Sequence, residues 1–372
     1  MIRHFFFAVI GLLLLSCGTK SDKIDALIFE LTGQTKQLQL PEGWGQFNLG
    51  WRVSPAGNIL VINNPTSEIA IYKDIEDASP LVIKLEEDGP DGLDGPRQDI
   101  QWGYDESFWV STFGDKLIQF DAEGTILQRV SIPTERLLAQ NVSLLNFNFI
   151  VEESSIYFPA APLTFAWNTL SVEEIQKTPN LLRLDLESNE ISVVSTYSTD
   201  FLGTNLNKNI MPTLFRGLNG AVIINHNFKD IWAFQEGELL QKEVSFSQFS
   251  PMPPSSSKDI FEDMDEIMRL LNYSDAYWEL FPLPKQQLLA RIVKFEEKPE
   301  EEVFGMEFIP SKWGMILVNS TYEKQGEFLF PSNSYNPQLL YSDLAGMWVC
   351  TTHPNRADIE EGVLVFELLI TK

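Results

Sequence analysis

The chain has 372 residues, of which 27 are Lys or Arg and 52 are Asp or Glu, so its formal net charge is −25 at pH 7. A field of this sign repels phosphate backbones, which excludes nucleic acid as an expected partner. Only two cysteines are present, so a disulfide framework is not expected, and a chain of this length can be stabilised by burial of apolar surface alone.

The N-terminus has the features of an export signal. An apolar run from Phe5 to Leu15 follows the basic residue Arg3. As a helix this run spans roughly 16 Å, which is too short for a bilayer core of about 30 Å. We therefore predict a signal peptide over residues 1–16 and not a membrane-spanning helix.

The end of this signal, "LLSC" at residues 14–17, resembles a bacterial lipobox. The resemblance implies that Cys17 is acylated and that residues 17–23 form a lipidated, polar tether to the membrane. Gly18 after the cysteine resembles lipoproteins that are sorted to the outer membrane of Gram-negative bacteria, so we expect a lipid-anchored protein of the cell envelope there. A plain cleaved signal is the alternative, and periplasmic or surface display stays open.

A strand-like motif recurs along the rest of the chain. Each copy has a small or turn residue, a compact apolar strand and a polar or small stop. The copies are "GNILVINN", "SFWVSTF", "SIYFPAA", "GAVIINH", "QLLARIV" and "GMWVCTT". They recur roughly every 50 to 60 residues, a period typical of the four-stranded blades of a β-propeller. We predict an all-β, six-bladed propeller over residues 24–372.

The two ends of the chain complement each other in this scheme. The sixth unit ends with "GVLVFELLI" and lacks an outer strand, whereas "DALIFELTGQTKQLQL", starting at Asp25, precedes the first unit. Pairing the two removes the exposed edges of the sheet. We therefore expect the first strand of the chain to close the ring against the last.

The stretch "LEEDGPDGLDGPRQDI" at residues 85–100 has a calcium-loop composition. Asp88, Asp91 and Asp94 are spaced by three residues, however, and no terminal bidentate Glu follows, unlike an EF-hand loop. The Gly and Pro residues suit a connector that crosses from an outer strand of one blade to the inner strand of the next. The connector is the prediction, and a calcium loop is the alternative.

The "GPDG" connector, the "FDAEG" turn and the closing run "GMWVCTTHPNRADIEEGVLVFELLITK" resemble bacterial lipoproteins with a six-bladed, TolB-like or NHL-like propeller, most of them in families of unknown function. The resemblance covers almost all of the chain after the tether, but it concerns architecture and not catalysis. It implies the propeller fold and adds little about activity.

One segment departs from the strand pattern. Residues 255–275 carry apolar side chains at helical spacing, with a capping pair at Ser256 and Asp259. We predict a short amphipathic helical insert there. It either packs against the propeller as a structural element or acts as a lid or docking element.

Five residues are candidates for a ligand site. Asn225, His226 and His353 follow predicted strands of the repeat, at exits that can face a central depression. Arg216 and Arg291 lie in or beside predicted inner strands, where a guanidinium can bind an anionic group. The alternatives are loop caps for the histidines and internal ion pairs for the arginines. Cys350, in an apolar strand, is expected to be a buried, inert thiol.

These features predict a membrane-anchored binding module with an unidentified protein or small-molecule ligand. The alternative is a metal-dependent propeller hydrolase or lactonase. Calcium-dependent propellers of that type hold their ion with carboxylates and Asn, and the aligned strand ends contain no carboxylate. No cofactor is expected, and calcium is the only candidate. No nucleophile elbow, zinc-binding HExxH motif or phosphate loop occurs.

Overall fold

The structure is a computed structural model, and it describes residues 29–140, 142–145, 147–162, 171–198, 212–225, 230–247, 275–295, 297 and 309–371. These residues form six antiparallel sheets arranged in a ring as a β-propeller. The predicted fold class is confirmed.

The first thirteen strands are β1 Phe29–Gln39, β2 Leu49–Val53, β3 Ile59–Asn63, β4 Glu68–Tyr72, β5 Leu81–Lys84, β6 Arg97–Trp102, β7 Phe108–Thr112, β8 Lys116–Phe120, β9 Ile126–Ser131, β10 Val142–Leu144, β11 Ile150–Glu152, β12 Ser155–Pro162 and β13 Pro179–Asp185. The others are β14 Ile191–Thr196, β15 Thr213–Arg216, β16 Val222–Asn225, β17 Asp230–Gln235, β18 Glu238–Glu243, β19 Ala276–Leu283, β20 Leu288–Lys294, β21 Trp313–Val318, β22 Lys324–Leu329, β23 Asn336–Ser342, β24 Met347–Cys350 and β25 Val363–Thr371. The helices are α1 Glu135–Ala139 and α2 Val172–Lys177, and a 3₁₀ turn spans Leu218–Gly220.

Each blade follows the chain from the inside of the ring outward. Blades 1, 2, 4 and 5 are β2–β5, β6–β9, β15–β18 and β19–β22. Blade 3 has five strands, because β10 and β11 both pair with β12 before β13 and β14. Blade 6 contains β23, β24, β25 and β1.

Blade 6 closes the ring as the sequence predicts. Strand β1 pairs antiparallel with β25, from Phe29 opposite Thr371 to Gln39 opposite Val363. A register shift falls between Leu31 and Thr35. Because its strands come from opposite ends of the chain, this sheet ties the two termini together, and β1 covers the edge of β25.

The six copies of the recurring motif are the second strands of the six blades. In β3, β7, β16, β20 and β24 all residues are buried. Second strands lie between neighbouring sheets, so apolar residues are needed on both faces, and the sequence shows them as short continuous apolar runs. The core is therefore distributed between blades.

Polar atoms of large side chains fasten adjacent blades. The indole N–H of Trp51 donates to Leu340 O at 2.8 Å, which joins blade 1 to blade 6. The indole N–H of Trp102 donates to Arg52 O at 3.2 Å, which joins blade 2 to blade 1. Glu106 accepts from Ser54 Oγ at 2.7 Å and so joins the inner turns of the same two blades.

Residues 85–96 connect outer strand β5 to inner strand β6, as predicted. Leu93 is buried and its N–H donates to Glu86 O at 2.8 Å. Asp94 Oδ2 lies 3.1 Å from Lys116 Nζ and 3.4 Å from Arg129 Nη1. Arg129 also donates to Gly92 O at 2.7 Å. The connector is thus held by an apolar anchor and by cationic side chains of blade 2.

Several predicted features lie outside the described residues: the signal peptide over 1–16, Cys17 with its tether, and residues 255–274 of the helical insert. Within the described ranges no helix is long and apolar enough to cross a membrane. Cys350 is buried, and burial raises the pKa of its thiol to about 12, as expected of an inert cysteine.

Candidate functional site

A cavity of about 720 Å³ lies within the ring of innermost strands. All six blades contribute to its wall, through β2, β6, β11, β15, β19 and β23. The volume falls in the range of small-molecule sites. Its apolar lining is rich in aromatic and branched side chains, among them Trp51, Trp102, Phe149, Leu214, Phe215, Trp278, Phe281, Leu340 and Tyr341.

The cavity is near the turns that join first and second strands. Residues 54–57, 217–218, 220 and 284–285 of these turns belong to its lining. Tyr104 and Leu344 line the same end and are 60% and 88% exposed. Because the strands of a blade are antiparallel, these turns lie at the opposite end of the ring from the exits of the second strands. The sequence predicts the site at those exits, so the cavity lies toward the other end.

Arg52 enters the cavity from β2. Its Nη2 atom lies 3.1 Å from Asp99 Oδ1, and its Nη1 donates to Trp51 O at 2.9 Å. Asp99 also accepts from Gln101 Nε2 at 2.8 Å and from the backbone N–H of Asn148 at 2.6 Å. Asp99 therefore joins blades 1, 2 and 3 around the cavity and neutralises the charge of Arg52.

A second pair spans blades 3 and 4. Arg216 Nη2 donates to Val151 O and lies 3.8 Å from Glu152 Oε1. Glu152 Oε1 is buried and has no hydrogen-bond partner among the described residues. Burial raises the pKa of Glu152, while the charge of Arg216 opposes that shift.

Glu279 lies in β19 and lines the cavity. Glu152 and the rim residue Asp343 are the other described acidic residues of the lining. Within the described part of the chain it forms no hydrogen bond or ion pair. Its side chain is partly exposed to the cavity, and the surrounding protein reduces its contact with water. Burial raises its pKa to about 7, and the more distant charge of Arg52 counters only part of this shift.

The structure brings together two of the predicted site residues. Arg291 Nη2 donates to Asn225 Oδ1 at 3.1 Å. Arg291 Nη1 donates to Val244 O at 2.8 Å, and the guanidinium lies 3.9 Å from the ring centre of Tyr277. Both Arg291 and Asn225 are buried between blades 4 and 5 and do not line the cavity.

Two of the other three candidates, Arg216 and His353, lie apart from each other. Arg216 lines the cavity, as its inner-strand position predicts. His353 is buried in a loop, where its Nε2 lies 3.4 Å from Pro310 O and its Nδ1 accepts from Asn355 N–H at 3.2 Å. His226 lies outside the described residues. A pocket shared by Arg216, Arg291 and His353 is therefore not present.

Within the described ranges, no three His, Cys, Asp or Glu side chains are close enough together to hold a metal ion. The cavity carboxyl groups of Glu152 and Glu279 come from different blades, and Arg216 lies beside the first of them. The chemistry offered by these described groups is a hydrogen-bonding and ionic site within an apolar wall.

Sequence reasoning missed Arg52, Asp99, Glu152 and Glu279. All four lie in first strands, at "LGWRV", "RQDIQW", "IVE" and "AYWELFPL". The available signal was a charged residue within a strand of aromatic and apolar neighbours. The recurring motif marks second strands, whereas these four residues lie on first strands, which face the axis.

No protein-family model matches the chain, and no curated protein matches it. A solved member of the DUF4221 family from Bacteroides vulgatus is similar with a TM-score of 0.76 and 15% identity, over 94% of this chain and 99% of that chain. A virginiamycin B lyase from Staphylococcus aureus has a TM-score of 0.43 and 13% identity, over 92% of this chain and 100% of that chain. The first likeness shows the fold alone, and the second supports no statement about activity.

Proposed function

We propose that this propeller is a non-catalytic binding module of the cell envelope that takes a small, largely apolar ligand into its axial cavity. The observation that carries the proposal is the cavity of about 720 Å³, with aromatic walls and a few ionisable groups. Binding sites commonly combine an apolar wall with a small number of polar groups that fix orientation.

Membrane attachment is the second part of the proposal. It is supported by the apolar run, the small residue and Cys17 in the "LLSC" segment. Acylation of Cys17 would hold the propeller on a short tether at the outer membrane of a Gram-negative bacterium. In a native extract we expect the intact protein to carry acyl chains and to sediment with membranes. A Cys17→Ala variant that still sediments with membranes in the same amount would contradict this.

The binding test uses three indole probes of similar shape: tryptamine, tryptophol and indole-3-propionate. We expect at least one of them to bind the full chain in lipid nanodiscs, measured by saturation-transfer NMR. A Val53→Trp substitution places a large ring in the cavity wall and should abolish binding. The matched control is Val82→Trp on the outer strand of the same blade, where the side chain is exposed.

Two results would overturn the cavity proposal. One is failure of all three probes to bind, and the other is equal binding by the Val53→Trp and Val82→Trp variants, with circular dichroism showing that both are folded. A large rise in melting temperature on addition of calcium, lost with chelator and accompanied by stoichiometric metal, would instead favour a metal-dependent hydrolase.

A further inference from the structure

We propose that the axial cavity selects an organic cation, an amine on an aromatic or apolar body, and that Glu279 is its counter-ion. The proposal rests on the cavity being the binding site and adds the chemical class of the ligand. It follows from which charged groups in the cavity are already engaged by the protein and which are not.

The cationic groups are engaged or peripheral. The guanidinium of Arg52 pairs with Asp99 at 3.1 Å, so an anion would have to compete with a carboxylate that is already in place. Arg216 donates to Val151 O and lies 3.8 Å from Glu152. Lys285 is on an exposed turn at the rim. The Nε atom of Arg52 is buried without a partner, but it belongs to a guanidinium whose charge is matched.

The acidic groups leave acceptor capacity inside the cavity. Asp343, at the rim, pairs with Lys36 at 3.1 Å. Glu152 has one oxygen without a hydrogen-bond partner, although Arg216 faces it. Glu279 has neither a hydrogen bond nor an ion pair among the described residues. Among the described residues, no cation is therefore paired with Glu279.

The wall around Glu279 suits such a cation. Its chain neighbours Trp278 and Phe281 line the cavity, and Trp102 and Tyr341 add aromatic surface from blades 2 and 6. Aromatic faces attract cations through their quadrupoles, and this attraction is stronger away from bulk water. An ammonium group placed at Glu279 would gain an ion pair inside a cavity whose wall is rich in aromatic side chains.

The three indole probes distinguish the charge classes at constant shape. At pH 8 we expect tryptamine to bind the full chain at least about tenfold more tightly than tryptophol, and indole-3-propionate to bind most weakly. Equal affinities, or a preference for the propionate, would overturn the proposal that the ligand is a cation, but the cavity would remain a binding site. Binding of none of the three would overturn both proposals.

The pH dependence identifies the counter-ion. Because the pKa of Glu279 is about 7, lowering the pH from 8 to 5.5 protonates most of it and should weaken tryptamine binding by about fivefold or more, toward the affinity of tryptophol. Tryptophol affinity should not change. Burial also raises the pKa of Glu152, the second carboxyl group in the interior of the cavity among the described residues.

Glu279→Gln is the decisive variant, because it keeps the shape and removes the charge. It should reduce the preference for tryptamine over tryptophol to less than about twofold and abolish the pH dependence. The matched control is Glu238→Gln, on the exposed outer strand of blade 4, which should keep both the preference and the pH dependence. If Glu279→Gln retains the preference, or if Glu152→Gln alone removes it, the assignment of Glu279 is wrong.

Discussion

Blade 5 contains two charged side chains whose surroundings differ: Arg291 is buried, whereas Glu279 is partly exposed to the cavity. Arg291 is on the second strand, β20, and its terminal nitrogens donate to Val244 O, Asn225 Oδ1 and Asp230 O at 2.8, 3.1 and 3.2 Å. Glu279 is on the first strand, β19, and has no hydrogen bond among the described residues. Burial lowers the pKa of Arg291 to about 9 and raises that of Glu279 to about 7.

The difference comes from strand position within a blade. A second strand lies between two sheets, so a charged side chain there is surrounded by backbone carbonyls of the neighbouring blade. A first strand faces the axis, where the part of the chain that the structure describes leaves a cavity. A buried charge that is hydrogen-bonded to the protein stabilises the packing of blades, whereas one facing the cavity is available to a ligand.

The largest effect should follow removal of Arg291. Arg291→Met removes the donor of three hydrogen bonds to blade 4, two of them buried, so we expect the free energy of unfolding to fall by about 3–5 kcal/mol. Urea unfolding of the full chain measures this loss. The control is Arg356→Met, which removes an exposed ion pair with Asp358 and should change stability little. Similar losses in both variants would remove the distinction between the two kinds of site.

A smaller effect of opposite sign should follow removal of Glu279. Its pKa is raised in the folded protein, so the folded state favours the neutral acid, and stability falls as pH rises from about 4.5 to about 7. Glu279→Gln removes this penalty. We expect the variant to be more stable than the natural chain by roughly 3 kcal/mol at pH 8, with no difference at pH 4.5.

Parallel urea unfolding of the two proteins at several pH values tests this expectation. A difference in stability that does not change with pH would mean that the folded structure does not raise the pKa of Glu279. The comparison with Arg291 would then have to be made on hydrogen bonding alone.

The sequence predicted the fold more completely than the site. Short apolar runs at a regular spacing mark strands buried on both faces, and the unmatched strand after Asp25 predicted closure of the ring. Both signals are local or depend on the chain ends. The position of the site depends on which strand faces the axis. The recurring apolar motif is the strongest pattern in the sequence, and it marks the second strand of each blade and not the first.

Long-range pairing explains the remaining misses. Nothing in the neighbourhood of Arg291 in sequence indicates Asn225 or Val244, which approach it from the previous blade. The contact between His353 and Pro310 also crosses a long interval of chain. The residue types of Arg216 and Arg291 are the same, and only the surrounding blades decide that one lines the cavity and the other does not.

The smallest effect is expected at Asp94. This residue is paired but not buried, so it tests the two properties separately. Asp94 is paired with Lys116 and Arg129, and the hydrogen bond from Lys116 lowers its pKa, but its side chain is exposed. Solvent and salt screen such pairs. Asp94→Asn should therefore lower the melting temperature only slightly at low salt and not measurably at high salt, and Asp88→Asn, in the same connector, should not change it. A loss for Asp94→Asn comparable with that of Arg291→Met would mean that pairing matters more than burial, which would reverse the comparison drawn within blade 5.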